Sequence, residues 1–446
     1  MTAPFHHPLD FVPDLLDVSE EQPQYAFLLE SAAAGPLGSV SLLLRASGES
    51  LVLEAGETGG VQAPFLQRFD DWFRREAIEY KPDMNCPFLG GWFVYLGYEL
   101  AGEIEPVLEL PVASGELPVA LAARCTGAVM VRHGEQPEAY LVAESRELLE
   151  QMKGEVRQAT RRTKARCWSD EVTLSPDPEE DFLESVEKIK HYLRAGDVFQ
   201  VNLSRAWHGR LSGPADPFAL YESLRRHNPA PFAGMMRWRD NTLMCSSPER
   251  LVEVRGRQVQ TRPIAGTYPR GGDSRSDKAL SRDLLAHPKE RAEHIMLIDL
   301  ERNDLGRVCS SGSVEVNELM VLESYTHVHH IVSNVRGELR TDASPGEIIA
   351  SVFPGGTITG CPKVRCMQII AELEQTGRGF YTGSMGYISK DGQMDLNILI
   401  RTMLLDQRGI SLRTGAGIVA DSVPEKELAE THAKARGLLR AMGADQ

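Results

Sequence analysis

Two pairs of glutamates are the residues in this sequence most able to do chemistry. Glu290 and Glu293 stand three apart in PKERAEHIMLIDL, just after Pro288, and Glu427 and Glu430 repeat the spacing in SVPEKELAETHAKA, with Lys434 one turn further on. Proline suits the first turn of a helix and an i, i+3 spacing puts two side chains on one helix face, so each pair is predicted to present two carboxylates together. Two such helices facing one another can hold a hard cation such as Mg2+ while leaving positions for water and an anionic ligand. Acidic residues at this spacing also decorate solvent-facing helices. What distinguishes the first pair is that it runs directly into HIMLIDL, a stretch apolar enough to be buried.

Two glycine clusters, FPGGTITG (353–360) and RTGAGIVAD (413–421), let backbone N–H groups approach a carboxylate, with Thr357 or Thr359 adding a hydroxyl; the same clusters also serve as plain turns. Arg401 lies inside the apolar run LNILIRTMLL, where a guanidinium is expected to turn inward or sit at a strand end. There it pairs bidentately either with a ligand carboxylate or with a protein Asp or Glu. In ESYTHVHHIVSNV, strand alternation puts His327 and His329 on one face and His330 on the other. No HExxH helix accompanies them, so zinc chemistry has little support, and a hydrogen-bonded core histidine is the other reading.

Bulk properties narrow the class. The chain has 446 residues, 42% of them hydrophobic, and a formal charge of −15, so it reads as globular and lacks the basic footprint of a nucleic-acid or lipid binder. An acidic protein that receives an anion must supply local positive charge, from a metal or from inward Arg and Lys. Seven scattered cysteines show no zinc spacing and fit reduced thiols in a cytoplasm. The N-terminus does not read as a secretory signal, and the most apolar window, 119–131, contains Arg124 and is too short to span a bilayer. Neither GxGxxG nor GxxxxGK[ST] occurs in a nucleotide-binding context.

The elements that must position these residues form an irregular α+β pattern. SVSLLLRA, SLVLEAG, GWFVYLGYEL and AVMVRHG read as strands; a helix over 181–195 ends at Gly196-Asp197, and VFQVNLSRAW is then a strand. Further on, TLMCSS, LVEVRG and QVQTRPIAG read as strands, with helices in SDKALSRDLLA, PKERAEHIMLIDLERND and CPKVRCMQIIAELEQ. The expected organisation is an N-terminal region over 1–150, a connection over 151–180 and a C-terminal domain over 181–446, built as layered sheets covered by helices.

Taken together and in order, TRPIAGTYPRG, KERAEHIMLIDLERNDLGRV, ESYTHVHHIVSNVRG, FPGGTITGCPKVRCMQII, YTGSMGYI, LNILIRT and TGAGIVADSVPEKELAETHAKA resemble the signature blocks of chorismate-utilising enzymes. The resemblance implies an anthranilate synthase-like fold, two large mixed or antiparallel sheets flanked by helices around a central cleft that takes chorismate and Mg2+. It implies Glu293 and Glu430 as direct Mg2+ ligands with Glu290 and Glu427 beside them, Lys434 among these carboxylates, and Thr357, Gly415 and Gly417 along the ring carboxylate. Tyr381 and Arg401 would hold the enolpyruvyl carboxylate, Gly266 and Thr267 would sit near the ring, and His330 would give a proton to the leaving 4-hydroxyl. QVNLS (200–204) and NPAPF (228–232) resemble the aminodeoxychorismate synthase branch, which makes 4-amino-4-deoxychorismate for para-aminobenzoate and folate. Ala265 in PIAGT, at a position where that branch usually carries lysine, resembles the anthranilate synthase branch instead. An inactive scaffold for a glutaminase is the non-enzymatic alternative. The resemblance further implies ammonia supplied by a separate glutamine amidotransferase, and a tryptophan pocket around Glu30, Ser31, Pro229 and Phe232.

Overall fold

The computed structural model describes residues 4–33, 39–57, 63–79, 86–160, 166–211, 213–269, 288–324 and 328–444; the side chains of 265–269, 288–290, 324, 328 and 329 lie outside the description. The predicted helix in SDKALSRDLLA falls outside the described residues, as does His327.

The described strands join into one hydrogen-bonded system in which every pairing is antiparallel. It is a long strip folded into two leaves. The strand Ala120–Arg132 is its midpoint, pairing along one edge with Val40–Leu53 and along the other with Gly91–Leu96 and then Glu138–Ala143. Through Val40–Leu53 one leaf continues to Phe27–Glu30, Phe232–Trp238, Asn241–Ser247, Thr402–Asp406, Gly409–Ile418 and Gln200–Leu211. Through Gly91–Leu96 the other continues to Ser384–Ser389, Met394–Asn397, Arg250–Arg255, Gln258–Thr261 and Val328–Glu338, which also receives Ile264–Pro269 and Glu315–Ser324. The two large sheets expected around a cleft are these leaves, joined at Ala120–Arg132.

That central strand explains an oddity of the sequence. Arg124, within the most apolar window, is buried and bound to Glu144 at 2.7 Å and Glu76 at 3.2 Å, with its guanidinium 5.3 Å from the Trp92 ring centroid. A charge is tolerated there because it is paired and stacked.

Helices cover the leaves. Pro288–Gly306 and Pro424–Ala441 both begin at proline, and Glu179–Ala195 ends at Gly196 with φ of 80°. Within 151–180 the chain completes the helix Arg146–Ala159, which buries Leu149, Met152 and Val156, and then forms the strand Val172–Pro176 against Gln200–Leu211. Among the described residues no helix is long and apolar enough to cross a membrane.

Candidate active site

The glycine strand Gly409–Ile418 runs antiparallel to Gln200–Leu211, with Gly415 opposite Ser204 and Gly417 opposite Asn202. Both glycines are there for want of space. A Cβ on Gly417 would stand 2.5 Å from Gln200 Nε2, and one on Gly415 would stand 2.5 Å from the Leu203 carbonyl and 2.8 Å from Tyr381 Oη. Their absent side chains let Gln200 and Tyr381 lean across the strand. Gln200 Nε2 donates to Glu293 Oε1 at 2.9 Å, which draws the helix Pro288–Gly306 to this spot, and its buried Oε1 has no partner.

The helix Pro424–Ala441 also packs against this glycine strand. Lys434 Nζ donates to the Gly415 carbonyl at 2.9 Å and reaches Glu430 at 2.7 Å on the same helix, one turn back, while Glu427 is buried. Of the residues expected to gather, Glu293 and Gly417 meet through Gln200, and Gly415 meets Tyr381 and Lys434, with Glu430 held by Lys434. Among the described residues no three His, Cys, Asp or Glu side chains already converge into a metal cage.

Arg401 adds the positive charge. Its backbone takes φ of 52°, a left-handed conformation seldom adopted by a side-chain-bearing residue, and its carbonyl accepts from Ser246 N–H at 3.0 Å. Burial lowers the guanidinium pKa; Tyr381 and Glu430 are the groups whose charge it feels. Among the described residues no carboxylate forms a salt bridge with it, in contrast to the neighbouring buried Arg378, which binds Glu374 at 2.7 Å. Of the two partners open to Arg401 from sequence, a protein carboxylate in salt-bridge contact is absent among the described residues.

Glu249 was not foreseen. It lies between the strands Asn241–Ser247 and Arg250–Arg255, is 6% exposed, and accepts from Thr357 Oγ1 at 2.7 Å. Burial is the largest influence on its carboxyl and pushes the pKa up to about 7, against the pull of Thr357, the Ile264 N–H and Lys434. It falls between the runs TLMCSS and LVEVRG that read as strands, and its contacts with Thr357 and the Ile264 N–H are tertiary, with no local signal.

His330 is buried on the strand Val328–Glu338, opposite Thr267 on one side and Glu323 on the other, and Ala265 is opposite Ile331. The side chains of Ala265, Gly266, Thr267 and Glu290 lie outside the described residues. Ser204 of QVNLS donates to Glu374 at 2.8 Å and receives Arg413 at 3.1 Å, tying it into a buried ionic knot with Arg378.

Glu30 and Ser31 lie apart from this cleft. Glu30 accepts from Tyr221 Oη at 2.8 Å and Arg225 at 3.3 Å, while Ser31 N–H is bound by Ser41 Oγ at 3.0 Å. A cavity of about 100 Å³ there is lined by Glu30, Phe232, Arg250 and Tyr387.

The sequence profile of the chorismate binding enzymes matches residues 25–440. The chain belongs to the chorismate binding enzyme family. Its similarity to aminodeoxychorismate synthase component 1 of Bacillus subtilis is 39% identity over 431 residues, covering 93% of this chain and 91% of the relative. It is equally similar, 39% over 443 residues, to anthranilate synthase component 1 of Thermus thermophilus, covering 96% and 94%. The crystal structure of anthranilate synthase component I from Streptococcus pneumoniae superposes with a TM-score of 0.78 at 31% identity, covering 90% of this chain and 92% of that one. As a chorismate binding enzyme, the chain acts on a dicarboxylate, and an arginine that has no carboxylate salt bridge among the described residues suits that substrate.

Proposed function

We propose that this chain is aminodeoxychorismate synthase component I, converting chorismate and ammonia into 4-amino-4-deoxychorismate. The observation that carries the reading is Arg401, half-buried, without a carboxylate partner among the described residues and facing Tyr381. A guanidinium so placed binds a carboxylate bidentately at little further desolvation cost. In this reading it takes the enolpyruvyl carboxylate together with Tyr381, and Thr357, Gly415 and Gly417 line the ring carboxylate.

Mg2+ fits the donor set, which is all oxygen: Glu293 steadied by Gln200, Glu430 beside Lys434, and the orphaned Gln200 Oε1 close by. Mg2+ keeps several waters and needs only one or two protein carboxylates, so the absence of a tight cage among the described residues is compatible with it. Glu293 and Glu430 would hold it directly, Glu290 and Glu427 through water, and when bound it neutralises the ring carboxylate. In this reading His330 would give its proton to the departing 4-hydroxyl, and Glu249, whose carboxyl burial pushes up to about 7, would be a second acid for the same step.

Similarity to the Bacillus subtilis enzyme over nearly the whole chain supports the product assigned, together with QVNLS and NPAPF. The second reading, anthranilate synthase component I, is favoured by Ala265 and by relatives such as that of Thermus thermophilus. The names of these relatives as a component 1 support a separate glutamine amidotransferase as the ammonia source. The test is product identity. Purified chain with chorismate, ammonium and Mg2+ is expected to give aminodeoxychorismate, and glutamine in place of ammonium is expected to give nothing. Anthranilate with pyruvate would establish the second reading; no product at high enzyme concentration would leave a scaffold.

A further inference from the structure

After the strand Gly91–Leu96 the chain makes a short helical turn, Tyr98–Leu100, and reaches Ala120–Arg132 through a segment rich in proline. Residues of that segment supply much of the wall of a cavity of about 360 Å³, joined by Tyr95, Glu99, Phe380 and Leu404. None of the residues assigned above to chorismate or Mg2+ lines it. Most of the wall is apolar, as at Leu108, Leu110, Val119 and Phe380, and Val112 in the same wall is 70% exposed. The cavity therefore offers apolar surface that water wets poorly.

Two polar groups on this wall are left incomplete. Tyr95 is fully buried and its hydroxyl has no hydrogen-bond partner. That hydroxyl and the Gly379 carbonyl both lie 3.3 Å from where a Cβ on Gly97 would stand. Glu99, 8% exposed, accepts from the Arg378 N–H at 2.7 Å and the Gly379 N–H at 3.1 Å, and among the described residues no cation forms a salt bridge with it. The Arg378 guanidinium is committed elsewhere, to Glu374 and to the Asn202 carbonyl, each at 2.7 Å. Burial is the largest influence on the Glu99 carboxyl and pushes it up to about 7, against the pull of its backbone donors and Arg378. A buried hydroxyl without a partner and a buried acid without a counter-ion both cost folding free energy that a ligand can offset. We infer that this cavity is a binding site for a small apolar amine, its ammonium held by Glu99 and Tyr95 and its body by the apolar wall.

The same wall says what the ligand lacks. No lining residue is Lys, Arg or His, while Glu99 and Glu109 are both acidic, so a carboxylate has nothing to meet. Arg408, with Nη2 3.6 Å from where a Cβ on Gly115 would stand, is itself drawn to Asp406 at 3.6 Å. Amino acids, chorismate and other anions are therefore excluded, and the site is distinct in chemistry from the cleft at Arg401. An ammonium has three donors, and a carboxylate accepts about four hydrogen bonds, so Glu99 can take the ligand without releasing its two backbone N–H groups. With a cation beside it Glu99 is fully ionised, and its bonds to Arg378 and Gly379 N–H become charge-assisted and stronger.

Calorimetric titration of the whole chain with phenethylamine as the probe tests the site. The expected result is one binding event, roughly ten-fold weaker for the uncharged isostere phenethyl alcohol and absent for hydrocinnamate and phenylalanine. Hydrogen exchange of the Arg378 and Gly379 amides is expected to slow when the amine is bound. Tyr95→Phe removes only a hydroxyl that has no partner, so it should fold as well as wild type and bind the amine several-fold more weakly. Glu99→Gln keeps the shape and should lose the preference for amine over alcohol. No binding of phenethylamine at millimolar concentration would overturn the inference. So would an amine bound no more tightly than the alcohol, or binding unchanged in both variants, which puts the amine elsewhere. Should Glu99→Gln not fold, Tyr95→Phe decides alone, and unchanged affinity in it overturns the site.

Discussion

Replacing Arg401 by methionine should move binding and stability in different directions. In the folded chain the guanidinium is desolvated without a carboxylate partner among the described residues, so burial is a cost that the protein bears on its own. Methionine occupies similar space without the charge, so thermal stability is expected to hold or rise. Substrate binding loses a bidentate, charge-assisted contact. Each such hydrogen bond is worth about 1.5–3 kcal/mol, and allowing for imperfect additivity the pair contributes about 2–4 kcal/mol. At 1.4 kcal/mol per factor of ten, this is a fall of roughly 30- to 700-fold in kcat/KM for chorismate. Steady-state kinetics over a wide chorismate range, paired with a thermal melt, check both halves. A variant with wild-type kcat/KM, or one that melts several degrees lower, would refute the argument, since the first means the arginine meets no ligand and the second means it serves the fold.

Other expectations follow from the same geometry. The Glu249 carboxyl rises from an ordinary 4.5 to about 7, chiefly through burial, so the folded state binds the extra proton; its contribution to stability is complete below about pH 4.5 and is lost as pH climbs through 7. At about 1.4 kcal/mol per pH unit this is on the order of 3 kcal/mol, and Glu249→Gln should flatten that part of the stability profile measured by denaturant titration. Glu293→Gln and Glu430→Gln should each abolish turnover while leaving the melting temperature unchanged or higher, as like charges are relieved; near-normal Mg2+-dependent turnover in both would overturn the metal assignment. Tryptophan binding near Glu30 is checked by calorimetric titration and by analysis of the denatured protein for released ligand. Because Arg225 and Tyr221 already occupy that carboxylate, Arg225→Ala should tighten any tryptophan binding rather than weaken it.

Local signals in the sequence were read well. The prolines at 288 and 424 start the glutamate helices, and Gly196 stops the helix Glu179–Ala195. Boundaries failed where a strand bends without ending: SVSLLLRA and SLVLEAG are one strand, Val40–Leu53, passing through Gly48 at φ of 98°, and QVQTRPIAG is split at Pro263. Glycine permits the irregularity in the first, and proline has no N–H for the ladder in the second. Within the site, residues with helical or glycine spacing were legible. Glu249 was not, because the burial that raises its carboxyl comes from segments far away in the chain. The missing partner of Arg401 was beyond reach for the same reason, as an absence of contact has no sequence pattern.

The joint between the leaves also governs how the protein is made. Gly91–Leu96 takes one of its neighbours from Ser384–Ser389, about 290 residues later, and Phe27–Glu30 waits for Phe232–Trp238. At a synthesis rate of about 5–20 residues per second, the first of these edges leaves the ribosome roughly 15–60 s before its partner exists. During that interval GWFVYL, apolar on both faces and paired on one edge only with Ala120–Arg132, keeps its other edge open in a crowded cell. Chaperone demand, and intolerance of truncation anywhere before residue 389, are therefore properties of the strand order itself.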